Sequence, residues 1–332
     1  MSGATERRSS QWSMAKQRTI NNNHIQYQQM KLHFLLLLGL LSLAGCGGGD
    51  TSQQKKLRIV TTTGMIEDAV RNIVGDSATV TALMGPGVDP HLYKASQQDL
   101  SLLTEADIVF YNGLHLEGKM VEVLEKLART KPVVAVADGV DQAKLRTPPE
   151  FNGNHDPHIW FDVKLWEGGV RKIAETLQAK DTANAAAYRQ RAERYLGQLD
   201  SSDAWVRGHI ATIPQGQRVL ITAHDAFGYF GQAYGIEVHG LQGISTVSEY
   251  GLADVQALVQ MIAGRNIKAV FVESSVPRRS IEAVVEGVKA KGKNVSIGGQ
   301  LFSDAMGAKG TPEGTYIGMV SANVNIIVNA LK

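Results

Sequence analysis

Cysteine is almost missing: the 332 residues hold one, Cys46. A disulfide framework is therefore excluded, as is any thiolate zinc finger or iron–sulfur cluster, since each needs several cysteines. A membrane-length apolar run is missing too. The stretch FLLLLGLLSLAG at 34–45 has twelve residues, where a spanning helix needs about 20. Excess basic charge is also absent from the body. Of 34 Lys and Arg, five lie in 1–45 beside one of the 32 Asp and Glu, so the formal +2 belongs to the first segment and residues 46–332 carry −2. Such a body offers nucleic acid no electrostatic footprint. No low-complexity tract or solenoid-period repeat occurs in it, and neither H-E-x-x-H nor G-x-S-x-G is present. What remains is an ordinary globular composition, 43% hydrophobic and 20% charged, long enough for two domains.

The twelve-residue run has the length of a signal-peptide core, with Lys31 as its basic flank. Leu43-Ala44-Gly45-Cys46 follows, similar to the lipobox at which bacterial lipoproteins are cleaved and acylated on the cysteine thiol. The bland alternative, a buried free cysteine, fits poorly with three glycines at 47–49. The expected organisation is an upstream extension at 1–29, a signal peptide at 30–45, and the lipidated Cys46 with a flexible tether to residue 56. Translation is expected to start at Met30 rather than Met14 or Met1.

From Leu57 onward, short Val/Ile-rich runs alternate with amphipathic stretches. Strands are predicted at Lys56–Thr62, Thr79–Met84, Ala106–Tyr111 and Val133–Ala137, then at Arg218–Ala223, Ile236–Leu241, Lys268–Glu273 and Asn294–Gly298. Helices are predicted at Ile66–Val74, Gln97–Glu105, Ala226–Tyr234, Ala253–Arg265, Arg279–Lys291 and Tyr316–Leu331. The alternation implies an α/β protein with two Rossmann-like lobes, 57–181 and 215–332, built on mostly parallel sheets. Between them Ala183–Ile213 contains no proline and reads as one long rigid helix within 182–214, about 45 Å long. Gly197 and Gly208 weaken that reading by ~1 kcal/mol each. A rigid joining helix implies small lobe movements.

Nine histidines are present. Asp89-Pro90-His91 and Asp156-Pro157-His158 repeat one tripeptide, in which proline stiffens the loop that presents the imidazole. His224 follows a predicted strand at once, and Asp304 follows another through a short loop. Both therefore lie beyond strand carboxyl ends, where open α/β sheets bind ligands. Three imidazoles and one carboxylate form a coherent donor set for a divalent metal such as zinc, at the interface between lobes. His155 is a candidate accessory ligand. Asp162 is a candidate to orient a ligand histidine, and Trp160, Phe161, Phe227 and Tyr229 are expected to surround the site. His115, His209 and His239 read as ordinary polar positions, with His209 on a solvated helix face. Arg278-Arg279 reads as a solvated helix start.

With these residues in place, the chain resembles the TroA-like (cluster A-I) metal-binding lipoproteins, solute receptors of bacterial ABC importers for zinc and manganese. The resemblance rests on GVDPHLYKAS (87–96), ADIVFYNGLHLE (106–117), DPHIWFDV (156–163), ITAHDAFGYFGQAYG (221–235), FVESSVP (271–277) and GGQLFSDAMG (298–307). It implies that His91, His158, His224 and Asp304 bind one metal ion, Zn2+ or Mn2+, carried as cargo. It also implies a membrane permease with its cytoplasmic ATPase as partner, a lipid-anchored extracytoplasmic location in periplasm or on the cell surface, and a monomer. His224 stands where manganese-biased members often carry glutamate, and the long His- and Asp-rich loop of dedicated zinc receptors is missing. Three nitrogens to one carboxylate place zinc first and manganese second. The readings from other classes are a metallohydrolase using Glu273 or Glu249 as base, and a surface adhesin.

Overall fold

The computed structural model describes residues 56–332 except Asn152, together with Met30. The expected leader, Cys46 and the tether lie outside the described residues. In the first half, β1 (Leu57–Thr61), β2 (Ala78–Ala82), β3 (Ile108–Tyr111) and β4 (Val133–Ala135) form one parallel sheet, ordered β2-β1-β3-β4. The crossovers are α1 (Gly64–Val74), α2 (Gln97–Glu105) and α3 (Val121–Ala128). Ile108, Val109 and Phe110 are all buried, the unbroken apolar run expected of a strand covered on both faces.

The second half repeats the scheme. β5 (Val219–His224) pairs in parallel with β6 (Glu237–Gln242), and β7 (Ala269–Glu273) with β8 (Ser296–Leu301). The intervening helices are α6 (Gly228–Tyr234), α7 (Leu252–Arg265), α8 (Arg279–Ala290) and, after β8, α9 (Tyr316–Leu331). The α/β class with parallel pairing is as the alternation implies, and the predicted elements recur with ends shifted by a few residues. No helix among the described residues is long and apolar enough to cross a membrane.

The long helix is α5, Ala185–Ile210, 26 residues and ~39 Å. A Cβ at either of its two interior glycines would meet nothing, so packing does not require them, and the buried stripe of the helix offsets their cost. Tyr188, Tyr195, Leu199, Val206 and Ile210 bury one stripe in a core that also takes side chains from α1, α6 and α9. Polar ties fasten the same helix to both halves. The Arg191 guanidinium donates to the Ile73 and Val74 carbonyls that end α1, and that of Arg207 to the Ala233 carbonyl near the end of α6.

Periodicity did not reveal α3 or α4 (Val163–Lys180). In α4 the cause is the pair Gly168-Gly169, a costly choice in a helix interior. Packing explains it: a Cβ on Gly168 would sit 2.6 Å from the Gly139 carbonyl oxygen, and one on Gly139 2.3 Å from that of Gly168. Gly168→Ala gains helix propensity but overpacks this contact, so a net loss of roughly 1–2 kcal/mol is expected. The urea midpoint is the measurement; a midpoint at or above that of the parent would show that the contact relaxes freely.

Candidate metal centre

The two Asp-Pro-His tripeptides fold alike. Asp89 Oδ1 accepts the His91 N–H at 2.8 Å, and Asp156 Oδ1 accepts the His158 N–H at 3.0 Å. Each aspartate thus closes a turn over its proline, which is why the pattern recurs in the sequence. His224 is the last residue of β5, and Asp304 lies three residues beyond β8. All four predicted ligands come together, each at most 2% exposed, with one ligand atom apiece inside a 4.8 Å cluster.

The four ligand atoms are spaced closely enough to share one ion. His91 Nε2 is 3.3 Å from His158 Nε2, and the Asp304 oxygens are 3.6, 3.4 and 3.3 Å from Nε2 of His91, His158 and His224. A tetrahedron with arms of about 2.0–2.1 Å has edges of about 3.3–3.4 Å, so one ion fits between these atoms. His224 Nε2 and both Asp304 oxygens are buried without any hydrogen-bond partner. Stranding three polar atoms in one spot costs too much unless a ligand satisfies them.

Two carboxylates aim the imidazoles. Asp156 Oδ1 accepts the His158 Nδ1–H at 2.7 Å, and Glu273 Oε2 accepts the His224 Nδ1–H at 2.5 Å. With Nδ1 committed, each ring turns its Nε2 lone pair inward. Glu273 also accepts the His224 backbone N–H through Oε1 at 2.8 Å, so both its oxygens are occupied. That pairing commits Glu273 to holding His224 in place, and Glu249 is exposed on the segment after β6. Arg146 ion-pairs with Asp156 at 2.5 Å, packing over Gly228, where any Cβ would collide with the guanidinium.

Further bonds lock the loops to each other. Trp160 packs its edge toward the His158 ring at 5.2 Å and donates Nε1–H to the Ser303 carbonyl, beside Asp304. Asn112 donates its amide to the Pro157 carbonyl, and Glu117 accepts the Asn112 and Gly113 N–H groups. Thr246, from the segment after β6, donates to Asp89 Oδ2 at 2.6 Å, joining the second half to the His91 loop.

Charge follows this wiring. Burial keeps His91 neutral, lowering it to about 3 despite the pull of Asp304. For His158 burial opposes the charge, but Asp156 and Asp304 outweigh it and raise the group to about 9. Burial likewise opposes charge on His224, which Glu273 and Asp304 nonetheless push well above the usual range. Asp304, disfavoured by burial, is held well below the usual carboxylate range by His224 and His158. Positive charge is what the centre accommodates.

Several expectations need correction. Asp162 orients no ligand: it caps α4, its Oδ1 accepting the Lys164 and Leu165 N–H groups, while Asp156 and Glu273 do the orienting. His155 stays outside the cluster, its Nδ1 3.0 Å from Thr147 Oγ1. His209 does not lie free on a solvated face but stacks on Trp205 at 3.8 Å. Phe161, Phe227 and Tyr229 are buried as expected; Phe161 packs on Phe227, and Tyr229 donates to the Asp156 carbonyl. Arg278 and Arg279 are exposed at the start of α8, as expected.

Comparison with known proteins agrees with the motifs. The family model described as ZnuA, zinc-uptake complex component A periplasmic, matches residues 59–330. A manganese-binding lipoprotein, MntA of Bacillus subtilis, is 52% identical over 299 residues, covering 90% of this chain and 97% of the relative. The zinc-binding protein TroA of Treponema pallidum is 48% identical over 299 residues, covering 90% and 96%. A solved structure of the periplasmic zinc-binding protein TroA from Treponema pallidum superposes with a TM-score of 0.81 at 50% identity, covering 83% of this chain and 99% of that one. With fold, motifs and near full-length identity in agreement, the chain belongs to the ZnuA/TroA family of metal-binding solute receptors.

Proposed function

We propose that the chain is an extracytoplasmic receptor that captures one divalent transition-metal ion and delivers it to an ABC-type permease with its ATPase. The ligands are Nε2 of His91, His158 and His224 and the carboxylate of Asp304. The carrying observation is the buried set of inward-facing donors at tetrahedral spacing, three of its atoms without partners. Zinc is first and manganese second. Three imidazoles and one carboxylate within 4.8 Å, with Asp304 3.3–3.6 Å from each Nε2, suit a small four-coordinate ion, and zinc stands well above manganese in intrinsic affinity. Relatives named for manganese and for zinc are both consistent with this donor set.

The receptor is a monomer, anchored to the membrane by lipid on Cys46 and working in the periplasm or at the cell surface. Residues 57–181 and 215–332 act as two lobes on the linking segment 182–214. N-terminal sequencing and mass spectrometry of the purified protein test the anchor: an unmodified Met1 would defeat it. For the metal, competitive calorimetry of zinc against manganese on protein beginning at Cys46 decides the order. Manganese binding tighter than zinc reverses it, and binding of neither removes the receptor reading.

Proton release gives a second test. At pH 7 His158 (about 9) and His224 hold protons that an incoming ion displaces, whereas His91 (about 3) has none to lose. About two protons should leave per ion, so affinity falls as pH drops below 7 and rises toward pH 9. Calorimetry in buffers of different ionisation enthalpy reads the number directly, and a heat independent of buffer contradicts the assignment.

A further inference from the structure

An open groove of about 700 Å³ contains none of the four metal ligands. α5 forms one wall, and α1 with the start of α9 forms the other. Such a volume lies within the ~300–1,000 Å³ typical of small-molecule sites.

Its lining combines one aromatic platform with converging polar groups. The Trp205 indole is held in place on one side by His209, which stacks on it at 3.8 Å and donates Nδ1–H to the Trp205 carbonyl at 2.8 Å. Trp205 is half-buried, packing partly on the core while also lining the groove. Ser202 is nine-tenths buried in the lining, and its Oγ has no hydrogen-bond partner. Asp68 Oδ2 accepts from Tyr195 Oη at 2.8 Å and from the Tyr316 N–H at 3.2 Å, which leaves Oδ1 to accept from a ligand. Arg194, Gln198 and Ser321 add exposed or half-buried donors.

We propose that this groove is a binding site for a neutral saccharide. A pyranose ring has an apolar C–H face edged by hydroxyl groups. The face suits the Trp205 platform, and the hydroxyls suit Asp68 Oδ1, the Ser202 hydroxyl, Gln198 and Arg194. The charged groups in the lining, Asp68 and Arg194, cancel, so no strongly charged ligand is selected. The walls are helices whose interior backbone groups are already bonded, so an extended peptide finds no strand edge to pair with.

The test is saturation-transfer NMR on the intact zinc-loaded protein, with chitobiose, lactose and maltose as probes. At least one disaccharide should receive magnetisation and quench tryptophan fluorescence. Trp205→Ala should weaken that binding by about tenfold or more through loss of the stacking face. Arg194→Ala, at an exposed position, should weaken it without threatening the fold. Both variants should keep the parent's zinc affinity, which shows them folded and separates this site from the metal centre. Loss of saccharide affinity in either zinc-competent variant supports the assignment. No transfer to any of the three probes, or equal affinity in both variants and the parent, overturns it.

Discussion

Asp304→Ala should lower zinc affinity by about two orders of magnitude or more. Structural zinc sites bind with ~10–16 kcal/mol shared among four ligands, so losing one removes roughly 2.5–4 kcal/mol, or about 10²–10³ in affinity. Asp304 should lie at the upper end because it is the one anion in the set, and its nearest oxygen is 3.3–3.6 Å from each of the three Nε2 atoms. The fold should survive. Neither oxygen is hydrogen-bonded, and the protons that Asp304 helps to hold on His158 and His224 can be released when it is removed. Scanning calorimetry separates the effects: the metal-free variant should unfold as cooperatively as its parent, while the rise in melting temperature on adding zinc collapses. A zinc-induced rise equal to the parent's would remove Asp304 from the centre. His158→Ala should behave similarly in titration.

Why these four residues could be found without coordinates is a matter of local chemistry. The Asp-Pro-His tripeptide encodes its own turn, with the aspartate accepting the histidine N–H, so two copies announced two presented imidazoles. His224 and Asp304 were legible because a Val/Ile-rich run leads directly into His224 and another precedes Asp304 by a short loop, and strand ends in α/β folds gather ligands. The parallel α/β alternation came from the same runs. What stayed hidden depended on contacts distant in sequence. Gly168 reads as a helix breaker until Gly139 is seen against it. Asp162 sits near His158 in the chain and looked like its partner, yet the pull of the first N–H groups of α4 was stronger, a capping role its position before VKLW could have signalled. Glu273 is 49 residues from His224, and only the side-by-side placement of β5 and β7 brings their ends together.

Glu273 accordingly carries the second large prediction. Its two oxygens take the Nδ1–H and the backbone N–H of His224 at 2.5 and 2.8 Å, a pairing open only to an acceptor at both ends. Glu273→Gln keeps the shape but supplies one oxygen and one NH2. If the oxygen keeps the backbone N–H, the amide NH2 faces Nδ1, which must give up its proton to accept. The ring proton then moves to Nε2, the atom aimed at the ion, and His224 can no longer ligate without an energetically costly shift back. If the amide is reversed, the backbone N–H of a fully buried residue loses its acceptor instead. Either way zinc affinity should fall about 10–100-fold, the range for partners that orient metal-bound histidines. Glu273→Asp, which retains both acceptors on a shorter stem, should recover part of the loss. Nitrogen-15 shifts of the His224 ring in metal-free protein, read at a pH high enough for the ring to be neutral, provide the readout a merely structural role would not move: in the parent the remaining proton sits on Nδ1, in the glutamine variant on Nε2. A variant with weakened zinc binding but the parent's tautomer would mean that Glu273 supports the strand end rather than aiming the imidazole.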